Sequence, residues 1–217
     1  MDENEKTLLL DRTYECPICD HKIKAKSVKT SVAKFVETKA DLRPVYSNIN
    51  VTKYDTVCCN YCGYAALTKD FMNTTQVQRK LLREKIQANY KSHEEVVCDA
   101  YSTETAISRL KMALLCTVTK AGKESEIGNI CLKIDWLYQD LAVVYKRLGI
   151  GSQKIKTYKK ESEKNPLAQV MVGMILMEQG KTDEGLAKLQ EFAYTEPDLI
   201  ITKGVQKYID EHTKEKF

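Results

Sequence analysis

Two C-x-x-C segments, Cys16-Pro17-Ile18-Cys19 and Cys59-Asn60-Tyr61-Cys62, constrain this chain more than any other feature. Two thiolates three positions apart on a tight turn can face one ion. Two such turns supply four sulfurs at about 2.3 Å in a tetrahedron. Pro17 presets φ for the first turn. Gly63, directly after the second pair, permits a positive φ, and Asp20 holds the matching place after the first. The separating stretch, residues 20–58, is long for a zinc ribbon, and a hairpin with a loop would fill it. The spacing predicts one structural zinc ion on Cys16, Cys19, Cys59 and Cys62. Cys59 rather than Cys58 pairs with Cys62, because that choice repeats the first turn's spacing and strand neighbours point to opposite faces. A thioredoxin-type redox pair would need a βαβ context, and nothing helical follows Cys19 directly. A catalytic zinc would keep an open position, which four cysteines close.

The chain has 217 residues, 43% hydrophobic and 29% charged, enough for one large domain or two small ones. Its formal net charge of +4 falls to about +2 once four thiolates hold a divalent ion. That balance does not point to nucleic acid. The apolar run Leu8-Leu9-Leu10 follows an acidic start and stops at Asp11, too short for the core of a signal peptide. No stretch approaches the ~18 apolar residues of a membrane span. A cytoplasmic location is expected, where the eight cysteines stay reduced and clustered ones indicate metal before disulfide.

Residues 11 to about 65 read as strands and turns, with Tyr14, Val28, Phe35, Val36, Val45, Tyr46, Val51, Tyr54 and Val57 among the strand formers. Alternation across Lys22-Ile23-Lys24-Ala25-Lys26 places three lysines on one face and Ile23 and Ala25 on the other. Residues 38–50 read as a loop. From about Thr74 the period becomes helical. One helix is expected over 75–91 with Val77, Leu81, Leu82 and Ile86 inward. Another is expected over 103–119 with Ile107, Leu110, Leu114 and Val118 as its stripe. A third carries a seam of Ile127, Ile130, Ile134, Leu137, Leu141, Val144 and Leu148, ended by Gly149. A short polar helix near 152–163 follows. Asn165-Pro166 then caps a helix that ends at Gly180. Thr182-Asp183-Glu184 opens the next, to about Tyr194, and Pro197 precedes a last one over 198–211. The architecture expected is mainly α: a zinc-ribbon-like β domain at 1–66, then a helical, tetratricopeptide-like domain at 67–217.

The remaining chemistry-bearing residues read as ordinary packing or surface. His21, His93 and His212 are expected at the surface, the last two in helices. Cys98, Cys116 and Cys131 fall on expected helices as small buried apolar groups. The lysine face reads as a solvated strand face, and Met171, Met174 and Met177 as core filling. No Ser/His/Asp set, phosphate loop or His-rich metal site is present, so no catalytic role is expected.

Residues 166–197 resemble one tetratricopeptide repeat. With Pro197 at the final proline of the pattern, Val172-Gly173 takes the Leu-Gly pair and Leu176 the tyrosine. Gly180 falls in the turn, Gly185 at the small crossing position and Leu189 at the aromatic of the second helix. Gln169 replaces the tryptophan, and Phe192 stands where the pattern has alanine. One repeat cannot bury its own face, so neighbouring helices must do so. The chain also resembles an uncharacterised bacterial family, domain of unknown function 2225. The resemblance runs through Tyr14-Glu15-Cys16-Pro17-Ile18-Cys19, Asp41-Leu42-Arg43-Pro44-Val45-Tyr46, Tyr54-Asp55-Thr56-Val57, residues 59–66 and residues 131–138. Such proteins have Cys-Pro in the second turn, where this chain has Cys59-Asn60. The resemblance implies zinc-ribbon-like and tetratricopeptide-like parts and no known activity.

These readings favour a protein-interaction adaptor whose helical surface holds a protein or peptide partner. The alternative is a nucleic-acid-associated protein with the lysine face on phosphate.

Overall fold

The computed structural model describes residues 3–39, 41–93, 98–147 and 181–195. It also describes 170, 172, 173, 176, 177, 205, 206, 209 and 210. Before residue 75 the chain forms three separate two-stranded antiparallel hairpins. Strand β1 (Leu9–Glu15) pairs with β2 (Lys22–Val28), in register Glu15↔Lys22 through Leu9↔Val28. Strand β3 (Phe35–Thr38) pairs with β4 (Pro44–Tyr46), and β5 (Thr56–Cys58) with β6 (Ala65–Leu67). A short helix α1 (Glu3–Thr7) precedes β1. The alternation along β2 is observed, with Ile23 and Ala25 buried and Lys22 and Lys24 exposed.

Two local expectations need correction. Residues 38–50 are not all loop, because Pro44–Tyr46 forms β4 after the positive-φ residue Leu42 (φ 64°) turns the chain back. Val51 and Tyr54 belong to a 3₁₀ turn (Val51–Tyr54) rather than a strand. Asn50 caps that turn, its side chain accepting from the Thr52 amide, which offers the backbone an alternative to a sheet ladder.

Helix α2 (Gln76–Lys85) starts in a capping box, Thr75 and Gln78 each bonding the other's backbone amide. Leu82 and Ile86 are buried as expected, while Val77 is 71% exposed. The helix yields to a 3₁₀ turn at Gln87–Asn89 instead of continuing to 91. Helix α3 (Thr103–Thr119) has the expected bounds, but its buried face is rotated. Ala106, Ile107, Leu110, Ala113, Cys116 and Thr117 face inward, and Val118 is 58% exposed. The small residues let α3 lie close against β5–β6, which large stripe residues would hold apart.

Helix α4 (Glu124–Arg147) packs along α3. Its seam is buried from Ile130 through Leu141, and Val144 is exposed. At the α3–α4 turn the buried Lys120 ammonium pairs with Glu126 at 2.7 Å, and the Thr117 hydroxyl donates to the same carboxylate. Helix α5 (Thr182–Thr195) opens where expected. Val170, Leu186, Leu189, Phe192, Val205 and Ile209 form a second cluster. The expectations for Leu148, Gly149, residues 152–163, Asn165-Pro166, Met171, Met174, Gly180, Pro197 and His212 lie outside the described residues, as does most of 198–211.

One hydrophobic cluster joins Cys16, Ile18 and Ile23 to Val57, Cys62 and Tyr64, to Leu82 of α2, Leu110 of α3 and Leu137 of α4. The division expected at 66/67 runs through this cluster. The β1–β2 and β5–β6 hairpins and helices α2–α4 therefore share a core, whereas β3–β4 stays outside it with Phe35 and Val36 exposed.

Candidate metal centre

The β1–β2 and β5–β6 hairpins end in turns of the same design. The Cys16 amide donates to the carbonyl of His21 (3.0 Å), and the Asp20 amide donates to the carbonyl of Cys16 (2.9 Å). Likewise the Cys59 amide donates to Tyr64 (2.8 Å) and the Gly63 amide to Cys59 (2.9 Å). Asp20 (φ 60°) and Gly63 (φ 77°) close the two turns with positive φ, at the positions read from the sequence. An aspartate tolerates this conformation better than most side chains.

The turns bring Cys16, Cys19, Cys59 and Cys62 together, with all four sulfurs within 4.8 Å of one another. The sulfurs of Cys16 and Cys62 are 3.6 Å apart, and those of Cys19 and Cys59 3.5 Å. A tetrahedron with metal–sulfur bonds of about 2.3 Å has edges of about 3.8 Å, so the four residues fit one metal ion. Cys16, Cys59 and Cys62 are buried and Cys19 is half-buried. Left to themselves, the thiols share protons. Hydrogen bonds from Cys16 and then Cys62 hold Cys59 as a thiolate, with its pKa lowered to about 2. The bond to Cys59 pushes Cys16 up to about 12, and the bond to Cys16 raises Cys62. A cation removes this conflict by accepting every sulfur as thiolate.

Cys58 stands apart from the group. It lies in β5 opposite Ala65, and its sulfur points to the Arg109 carbonyl at 3.9 Å. Burial raises its pKa. Burial also pushes Cys116 and Cys131 up to about 11, so both are protonated packing groups. Cys98 is not helical and only half-buried, contrary to expectation. His21 is exposed, stacked on Tyr61 with ring centres 4.2 Å apart.

The surroundings hold both turns, and the sequence carried little sign of this. Arg83 of α2 donates to the carbonyl of Ile18 (2.9 Å) in the first turn. Behind the second turn, Cys116 of α3 accepts from the Ala65 amide (3.4 Å) and donates to the Gly63 carbonyl (3.6 Å). The Tyr90 ring lies so close to Gly63 that a Cβ there would sit 2.4 Å from it. Asn60 donates to the His93 carbonyl (2.9 Å) and accepts at its own carbonyl from the His93 amide. The departure from Cys-Pro thus adds a side chain that anchors the chain after α2. His93 is exposed as expected but lies in irregular chain rather than a helix.

A second polar junction joins the other segments that carry the family resemblance. Arg43 donates to the Trp136 carbonyl (3.3 Å) and pairs with Asp140, which also accepts from Asn50 (2.7 Å). The Trp136 indole donates to the Asp41 carbonyl (3.2 Å), and Lys133 pairs with Asp55 at 2.5 Å. One face of α4 is thereby bolted to residues 41–55.

No helix among the described residues is long and apolar enough to cross a membrane. No curated protein and no solved structure matches the chain. A family model described as an uncharacterized protein conserved in bacteria, domain of unknown function 2225, matches residues 9–174, and the chain belongs to that family.

Proposed function

We propose that this protein is a cytoplasmic, zinc-stabilised protein-interaction adaptor, with no catalytic role for its metal. Four sulfur donors complete a tetrahedral shell and leave no position for substrate, which suits a structural zinc. The observation that carries the adaptor reading is the contact between Gly173 and Gly185. A Cβ on Gly185 would lie 2.7 Å from the Gly173 carbonyl oxygen and 2.4 Å from Met177, and one on Gly173 would lie 2.7 Å from Leu189. These are the positions where a tetratricopeptide pattern places small residues for close helix crossing. Arrays of such helix pairs present surfaces that hold peptides or helices. A protein or peptide partner on this helical surface follows.

The test compares affinity capture from the native cell with the wild-type chain and with Gly185→Leu, which forces these helices apart while leaving the cysteine turns intact. The adaptor reading expects a partner recovered with the wild type and lost with the variant. The same proteins recovered with both, or none with either, would refute it. The alternative, a nucleic-acid-associated zinc-ribbon protein, is less supported, because Lys26 of the lysine face is engaged by Asp11 at 2.9 Å. It would require binding that weakens steeply with salt.

A further inference from the structure

A cavity of about 730 Å³ opens between the β1–β2 hairpin, the second cysteine turn and the N-terminal half of α3. That volume lies within the range of small-molecule sites. We propose that it binds a small organic phosphate carrying a flat ring. The inference does not rest on the adaptor reading, because it uses side chains outside both the cysteine cluster and the C-terminal helices.

Charge is the first argument. Among the described residues Lys24, Lys26 and Arg109 line the cavity, against one carboxylate, Asp11, which is paired with Lys26. Lys24 and Arg109 have no carboxylate partner among the described residues. One cation satisfies a carboxylate ligand, whereas a phosphate near neutral pH carries close to two charges and three acceptor oxygens. Hydroxyls of Thr105 and Ser108 on the same wall add donors.

Arg109 is the second argument. One terminal nitrogen donates to the Thr56 carbonyl (3.1 Å), and the guanidinium lies 4.4 Å from the centre of the Tyr101 ring. Its other terminal nitrogen makes no hydrogen bond among the described residues and, unlike the buried Nε, is not sealed from solvent. A guanidinium nitrogen left open at the cavity wall can donate to phosphate oxygens. Tyr90 lines the space and offers a ring to stack on, whereas the Tyr101 ring is already covered by Arg109 and Tyr54.

Cys59 also borders the cavity, so an occupant would touch the outer side of the metal centre. Ligand and metal would then support each other's site.

The experiment titrates the full chain with phenyl phosphate, followed by calorimetry and by amide chemical shifts, with benzoate and inorganic phosphate for comparison. Saturable binding of one phenyl phosphate is expected, with shifts at Tyr101, Ser108 and Arg109. Lys24→Gln, at an exposed position that folding tolerates, and Arg109→Gln should each weaken binding roughly tenfold or more. Lys111→Gln, on α3 but outside the cavity, should leave it unchanged. Benzoate should bind more weakly. Absence of saturable binding, equal loss in Lys111→Gln, or tighter binding of benzoate would overturn the proposal.

Discussion

The indole N–H of Trp136 donates to the backbone carbonyl of Asp41 across 3.2 Å, fastening α4 to a loop ninety-five residues earlier in the chain. Trp136 is 6% exposed and packs with Cys131 and Leu132, with Leu114, Ile127 and Val172 alongside. As the chain's single tryptophan, it reports on this junction. Its emission should be blue-shifted in the native protein and move red only on unfolding. Trp136→Ala should cost about 3–5 kcal/mol by chemical denaturation. Red native emission that acrylamide quenches freely would place Trp136 in solvent and make it a candidate partner contact.

Cys58→Ser should keep the metal, and Cys59→Ser should lose it. The Cys58 sulfur faces the Arg109 carbonyl, whereas the Cys59 sulfur lies 3.5 Å from that of Cys19. Metal content of the two purified variants checks this, and the reverse pattern would refute the assignment.

Gly63→Ala should destabilise the fold through two effects. The residue sits at φ 77°, which costs a side chain about 1–2 kcal/mol. The new methyl would also meet the Tyr90 ring at 2.4 Å, adding about 1–3 kcal/mol of overpacking. Tyr90→Ala in the same background should recover part of the second cost and none of the first. If the double variant is no more stable than Gly63→Ala alone, the contact is not the source of strain.

The ion pair under the α3–α4 turn predicts an asymmetry. Lys120 and Glu126 have side chains 2% and 14% exposed. Glu126→Leu should cost about 3–5 kcal/mol because it strands a buried ammonium. Adding Lys120→Met should restore most of that loss, since a buried pair contributes little net stability over apolar residues. Equal damage in the single and double variants would contradict this account of the turn.

The metal turns were legible because their chemistry is local. Cysteine spacing and the residue after each turn specify the geometry without help from the rest of the fold. Helices α2 to α5 were legible as elements, and the bounds of α3 follow from its Ser102 cap, whose side chain accepts from the Thr105 amide. The face that α3 buries was not legible, because Ala106 and Ala113 carry little hydrophobic signal and are selected by a close approach to β5–β6. The 66/67 division did not show that Leu67, Phe71 and Leu82 complete a core begun at Cys16. Arg43–Asp140 and Lys133–Asp55 are long-range pairs whose members look like surface residues one at a time.

The shared core decides what metal loss should do. Coupling of binding to folding extends past the hairpins, since Ile18 and Val57 pack in the same cluster as Leu82, Leu110 and Leu137. Chelation should therefore loosen α2 and α3 along with residues 11–65, rather than leave the helices untouched.

The most direct test of the central claim is elemental analysis of the purified protein, with the cysteine variants alongside. One zinc per chain is predicted, lost on Cys→Ser at 16, 19, 59 or 62. Iron in its place, or a folded protein holding no metal, would contradict the account.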